Sequence, residues 1–491
     1  MAPTRMQFDV SFGPGGRRPR DDDAPMHLLV LADLGGSRRA PLAQRQALSV
    51  DIDNLDARLG QIAPSLTLEL DGQALALAFS SLDDFHPDQL WTRLPAFDAL
   101  RRLRSELDDP AGFARAAAAL GLSAAPPSPA AATPEATAAS DDVARLLGRR
   151  PAAMDAPAPV PADALQKWLH DLVAPHVVPD VAHEQRALRR AADAALGDLM
   201  RRLLHHPRLQ ALEAAWRGVD RLVRGLELGE SLHLSVLDIG RDEIDADLAA
   251  HRADLTASAL HRHLSGGRDG APWGLFVLDQ AFGPGAADVQ VLASLGAMAA
   301  RAGAPLLASA TPQAAGAADT AQLAEPRGWL ADDAPALAAW AALRTSPMAA
   351  WIGLSIPRVL LRLPYGAATD RIAGFDFEEM PAPREHGAYL WGHGAMALAL
   401  LAGRAFLEDG WSMDLDRQLV LDDLPSHTVV DDDGEKRQQP GTEVLLSEIA
   451  AQAVAGRGLM PLVAWRDRPA ARLWGWQSLA DPPRALQGLG A

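Results

Sequence analysis

Two runs near the first third of the chain, SAAPPSPAAATPEATAAS at 123–140 and PAAMDAPAPVP at 151–161, consist largely of Ala, Pro, Ser and Thr. Such segments bury too little apolar surface to offset the entropy of ordering, and their prolines keep the backbone extended. A single continuous fold cannot run through them. The chain is therefore expected to divide into a small unit over 1–122, a Pro/Ala-rich linker over 123–163 and a larger unit over 164–491, within the two to four domains that 491 residues suggest.

Ahead of the linker, Gln7, Phe8, Val10 and Phe12 lie in a short alternating stretch that reads as a strand, and Met26 to Leu31 is a continuous apolar strand ending at Asp33 and the Gly35-Gly36 turn. Asp53 is placed to cap a helix with Leu55, Leu59 and Ile62 on one face, stopped by Pro64. Leu66, Leu68 and Leu70, a turn at Asp71-Gly72, and then Leu75, Leu77 and Phe79 predict a hairpin. Helices follow from Pro87 to about Leu107 and from Pro110 to about Leu120, kinked or broken near Pro95. This unit is too small to close its own core on every side.

Beyond the linker, helices are expected at about Ala164–Val173, His183–His205 and from Pro207, the last with Leu209, Leu212, Trp216, Val219 and Leu222 near the helical period. Strand-like runs at Leu232–Ile239, Trp273–Asp279, Pro305–Ala310 and Trp351–Leu354 alternate with helices such as Val289–Ala302, which predicts a layered α/β domain. A long helix from about Tyr389 to Glu408 and strands near Val429, Leu462 and Trp474 complete it.

Composition narrows the function. A net charge of −17 argues against wrapping nucleic acid, whose phosphates demand clustered Lys and Arg. Without cysteine there is no disulfide, thiolate nucleophile or cysteine-ligated metal. The N-terminus lacks a signal-peptide apolar core, and the apolar stretch around Ala395–Ala402 falls short of the roughly 20 residues that span a bilayer, so the expectation is a cytoplasmic protein without membrane insertion.

Catalytic motifs do not emerge. Gly283-Pro284-Gly285 lacks the spacing and the Lys of a phosphate loop and reads as a strand-to-helix turn, while Ser235 and Ser355 are not in a nucleophile elbow. His205, His206, His261, His263, His386 and His393 show no metal-ligand spacing and read as surface or helix-end residues. Acidic pairs at Asp83-Asp84, Glu378-Glu379, Asp422-Asp423 and Asp431 to Asp433 read as solvated turns. No catalytic, cofactor or metal residue is assigned; an enzyme using an acidic or histidine site remains the competing class. Within the linker, Asp141-Asp142 can cap a short helix whose Val143, Leu146 and Leu147 form an apolar edge, either a transient helix or a peptide that folds on a partner.

The stretches RLPYGAATDRIAGFDFEE at 362–379 and HHPRLQALEAAWR at 205–217 resemble the large sheath subunit of bacterial type VI secretion systems, the ImpC/VipB-like (TssC) family. DIDNLDARLGQIAP at 51–64 and LDDFHPDQLWTRLP at 82–95 resemble the small ImpB/VipA-like (TssB) subunit. The resemblance extends through 271–312, 351–366, 389–411, 424–446 and 459–465. It implies an α/β chain in which a small sheath-subunit-like domain is joined by the linker to a larger layered α/β sheath domain.

The same resemblance implies function by assembly: no bond is made or broken, and alternative packings of the protomers store the free energy. It implies as partners other copies or other sheath subunits, an inner-tube (Hcp-like) protein, baseplate proteins and a ClpV-type AAA+ ATPase. That ATPase would grip the segment holding Val143, Leu146 and Leu147, while the Gln7–Phe12 strand would serve as an inter-protomer edge. Large subunits normally run on past the region matching QSLADPP at 477–483, which sets a second expectation beside the sheath protomer: a paralogue that caps, initiates or adapts a sheath end or baseplate.

Overall fold

The run MHLLVLA at 26–32 is buried along its whole length, which an interior strand of a parallel sheet requires because helices cover both of its faces. In the computed structural model, which describes residues 23–108 and 181–489 apart from 38, 71–72, 269, 332–333, 382–384, 431–433, 435 and 467, this run is β1 (Met26–Ala32). The further strands are β2 (Leu48–Val50), β3 (Ser65–Leu70), β4 (Gln73–Ala78), β5 (Leu232–Asp238), β6 (Leu275–Phe282), β7 (Leu306–Ala310), β8 (Ile352–Ile356), β9 (Val359–Leu360), β10 (Trp391–Gly392), β11 (Val420–Leu421), β12 (His427–Val430), β13 (Lys436–Gln439), β14 (Met460–Ala464) and β15 (Ala471–Leu473). The helices are α1 (Leu55–Ile62), α2 (Pro87–Arg93), α3 (Asp98–Asp108), α4 (Val181–Leu204), α5 (Pro207–Gly225), α6 (Arg241–Ala250), α7 (Ala259–Gly266), α8 (Ala286–Ala302), α9 (Ala338–Arg344), α10 (Gly394–Asp409) and α11 (Glu448–Gly456).

Nine of the described strands form one sheet in the order β11-β15-β14-β8-β7-β6-β1-β5-β2. The strands from β5 through β1, β6, β7 and β8 to β14 are parallel, and the short antiparallel β2 and β15 flank them. β1 thus pairs with β5 on one side, from Met26↔Leu232 to Ala32↔Asp238, and with β6 on the other, from Leu28↔Leu275 to Leu31↔Leu278. Leu29 and Leu31 share one apolar core with residues of α6, α7, α8, α9 and α11. α10 packs on β6, β7 and β8 and against α5.

The chain separates into two compact units: residues 1–96 with 197–491, and residues 97–196. The first contains the sheet, so the N-terminal segment and the large segment are one core. The described elements of the second are α3 and α4 up to Leu196, tied by Arg104 Nε donating to Asp193 at 2.9 Å.

The hairpin and the break at Pro95 form as the sequence predicts: β3 and β4 pair from Ser65↔Ala78 to Leu70↔Gln73, and α2 gives way to a 3-10 turn at Pro95–Phe97 before α3. Several boundaries shift by two or three residues, such as β6 ending at Phe282 and α8 starting at Ala286, and two further helix starts differ for a visible cause. Helix α1 starts behind Asn54 rather than Asp53, because the Asp51 carboxylate takes the Asp53 and Asn54 N–H groups and closes a turn there. The helix expected from Tyr389 starts at Gly394, because Trp391 and Gly392 are drawn into a ladder with Leu360 and Val359. The linker over 123–163, the helices expected at 110–120 and 164–173, and the Gln7–Phe12 strand lie outside the described residues.

Candidate functional site: the seam between the two segments

The two stretches that carry the large-subunit resemblance meet in space. Helix α5 presents Leu209, Leu212, Trp216, Val219 and Leu222 to the core, and Glu213 lies on the same buried face. A carboxylate there is tolerable only if paired and hydrogen-bonded. Arg362 supplies the partner, with Nε donating to Glu213 Oε1 at 2.8 Å and Nη1 to Glu379 Oε2 at 2.7 Å. Arg217, one turn on from Glu213, donates to the same Oε1 at 2.7 Å and to the Tyr365 hydroxyl at 3.2 Å. The Tyr365 N–H donates to Glu379 Oε2 at 2.8 Å, and the Arg362 guanidinium lies 4.2 Å from the Tyr365 ring centroid. His205 Nε2 is 3.6 Å from Glu379 Oε1.

Two arginines therefore face two glutamates in a compartment where both Glu side chains are 1% exposed. Burial pushes the Glu379 carboxyl up, but the Arg362 charge, hydrogen bonds from Arg362 and the Tyr365 amide, and the nearby His205 ring outweigh it and hold the group at about 2. For Glu213, burial is likewise overcome by Arg362 and Arg217, and its pKa falls. Burial is the main cause that lifts Tyr365 to about 12, so its phenol stays neutral.

The small segment docks on the same stretch. His86 caps α2, and its ring meets Tyr365 edge-on with centroids 4.9 Å apart. Asp88 receives the Ala373 N–H at 3.0 Å and the Gly374 N–H at 2.9 Å. Trp91 packs on Phe375 at 5.2 Å. A Cβ at Gly374 would stand 2.7 Å from Trp91 Cδ1, so only glycine admits this close approach.

Further along the seam, the Trp216 indole N–H donates to the Leu34 carbonyl at 2.9 Å, and Arg208 donates to the Thr67 carbonyl and the Ser37 hydroxyl. Arg39 and Arg45 both pair with Glu243, whose carboxyl, raised by burial but lowered further by Arg45, the Gly240 amide and Arg39, sits at about 2. Each of these contacts joins a residue before 97 to one after 200.

Val143, Leu146 and Leu147, like Gln7, Phe8, Val10 and Phe12, lie outside the described residues. The histidines separate. His206 caps α5, His386 and His393 pair with Glu443 and Asp279, His261 meets Ser265, and His263 meets the Leu42 carbonyl. Among the described residues no group of three or more His, Asp or Glu is arranged to hold a metal ion, and no helix is long and apolar enough to cross a membrane. Gly283 to Gly285 turns between β6 and α8, with the Gly283 N–H bound to Asp288.

Glu379 is a correction: its place beside Glu378 reads as a solvated turn, yet only Glu378 is exposed. Its signal was the alternation of Phe375, Phe377 and Glu379, all buried. Glu213 carried a comparable signal, as a charge inside an apolar helical stripe.

Comparison with known proteins matches the geometry. Residues 188–480 match the family model described as EvpB/VC_A0108, tail sheath N-terminal domain. Residues 4–119 match the one described as type VI secretion system, VipA, VC_A0107 or Hcp2. The type VI secretion system sheath protein TssC1 of Pseudomonas aeruginosa is 32% identical over 301 residues, 60% of this chain and 60% of that protein. The sheath protein TssB1 of the same organism is 32% identical over 93 residues, 17% of this chain and 54% of that protein. The chain thus spans somewhat more than half the length of each.

Proposed function

The chain belongs to the tail-sheath family of type VI secretion systems, with small- and large-subunit segments in one polypeptide, and we propose on that premise that it is a fused protomer of a contractile sheath that works by assembly and not by catalysis. The observation that carries this reading is the position of β1: a strand of the small-subunit segment fills the interior of the sheet between β5 and β6 of the large-subunit segment. Fusion then sets the ratio of the two segments at one to one and holds each at high effective concentration for the other. We assign it to the cytoplasm, with other copies or other sheath subunits as its primary partners and an inner-tube (Hcp-like) protein and baseplate proteins as further ones.

Negative-stain electron microscopy of the purified chain, alone and mixed with separate small and large sheath subunits, tests the reading. Tubes from the chain alone are the expected result. Binding confined to tube ends would replace the protomer by the cap, initiator or adaptor reading, and single particles that neither polymerise nor bind sheaths would end both. The Gln7–Phe12 segment is proposed to pair with a neighbouring protomer by strand addition. Val143, Leu146 and Leu147 are proposed to dock a ClpV-type ATPase. The double substitution Leu146→Asp, Leu147→Asp should abolish capture of that ATPase in a pull-down while leaving the melting temperature unchanged; retained capture would remove the segment from this role.

A further inference from the structure

The chain passes from β5 across β1 to reach β6, so the connections diverge on either side of the β1–β6 boundary. In open parallel sheets, a divergence of this kind leaves a crevice beyond the carboxyl ends of the strands, where ligands bind. Here the crevice is a cavity of about 420 Å³ whose lining includes Asp33 just after β1, Asp279 and Gln280 of β6, Tyr389, Trp391 and His393. That size falls within the range of small-molecule sites.

Strand β6 is deformed at this place. Its pairing with β7 runs Phe276↔Leu306 and Val277↔Leu307, then resumes only at Ala281↔Ser309. In a regular strand Asp279 and Gln280 would point to opposite faces. The irregularity lets both line one cavity, which is the use that bulges serve beside binding sites.

The lining is selective by charge. His393 Nδ1 stands 3.0 Å from Asp279 Oδ1, and Asp33 Oδ1 accepts the Gly36 N–H at 3.0 Å and pairs with Arg39. The second oxygen of each carboxylate takes no hydrogen bond from the described residues. Arg358 also lines the cavity, but both Glu443 oxygens engage its guanidinium, at 2.9 and 2.5 Å. Each carboxylate thus keeps one oxygen for a further donor while both Glu443 oxygens hold the Arg358 guanidinium, and Tyr389 and Trp391 complete the lining.

We propose that this crevice binds a guanidinium or alkylammonium group, oriented by Asp33 and Asp279 and walled by Tyr389 and Trp391. A guanidinium suits it best because its several N–H donors can serve separate acceptors at once. The inference rests on the crevice alone and does not depend on the assembly reading. The group comes either from a free small molecule or from a side chain of a second copy.

Calorimetric titration of the full-length chain with N-acetyl-arginine amide, and with its uncharged counterpart N-acetyl-citrulline amide, tests the site. Saturable binding of the arginine compound only is expected. Asp279→Asn, which keeps an acceptor for His393, should weaken it roughly tenfold or more, and Gln280→Lys, which places an ammonium inside the cavity, should abolish it; circular dichroism confirms that both variants fold. No binding up to about 10 mM, equal binding of the citrulline compound, or affinity unchanged in both variants would overturn the proposal. Sedimentation in the presence of the arginine compound identifies the source: loss of self-association supports the site with a second copy as donor, and unchanged sedimentation with saturable binding supports it with a free molecule.

Discussion

Residues 164–491 produced without the N-terminal segment are expected to be insoluble, and co-production of residues 1–122 as a separate chain is expected to restore a soluble, folded pair. The reason lies in what β1 occupies. Its removal leaves the facing edges of β5 and β6 unpaired in the middle of the sheet, and strips the core of Leu28, Leu29, Val30 and Leu31, each wholly buried. At about 1.5–3 kcal/mol for each buried aliphatic side chain, the loss is roughly 6–12 kcal/mol. That equals the whole net stability of a typical domain, about 5–15 kcal/mol. Direct pairing of β5 with β6 would not repair it, because the helices packed on either face are spaced for a strand between them. Solubility in lysates and the urea unfolding transition are the measurements. A soluble 164–491 fragment with a cooperative transition of its own would show that the seam joins two independent folds.

Much of this architecture is legible in local pattern. MHLLVLA is apolar on both faces, and a strand of that kind must be interior; the Leu-rich alternation about Asp71-Gly72 makes a hairpin; Pro207 and the stripe through Leu222 make α5. What local pattern lacks is the partner. Nothing in residues 26–32 indicates that their neighbours lie more than 200 residues away, because the hydrophobic effect selects burial and carries no address. The linker composition invites a division into separate units, whereas Leu29 and Leu31 share a core with residues beyond 230, Trp91 packs on Phe375 and Trp216 bonds to Leu34. The charge network was hidden for a related reason. Arg362 and Glu379 are separated by a turn-rich stretch of polar and small residues, and acidic pairs in such stretches are usually solvated. Only the third dimension brings Glu213 and Arg217 to them.

Replacing Arg362 by Met should destabilise the chain by about 3–5 kcal/mol, since it leaves Glu213 and Glu379 buried beside a single remaining arginine. The cost comes from the stranded carboxylates rather than from the lost attraction. Consequently the triple variant Arg362→Met, Glu213→Met, Glu379→Met, which removes the charges together, should be less destabilised than the single one, even though it deletes more contacts. A pH series separates the same cause from simple packing loss. Glu379 stands at about 2 in the folded chain against an ordinary value of 4.5. A carboxyl lowered by folding contributes stability that is fully present above about 4.5 and is lost as pH falls towards about 2. The unfolding midpoint of the intact chain should therefore drop across that window. In the triple variant this part of the drop disappears, while that from Glu243 and Glu443, also near 2, persists. If Arg362→Met costs less than about 1 kcal/mol, or if the triple variant is worse than the single, the network is not what holds the two signature stretches in register.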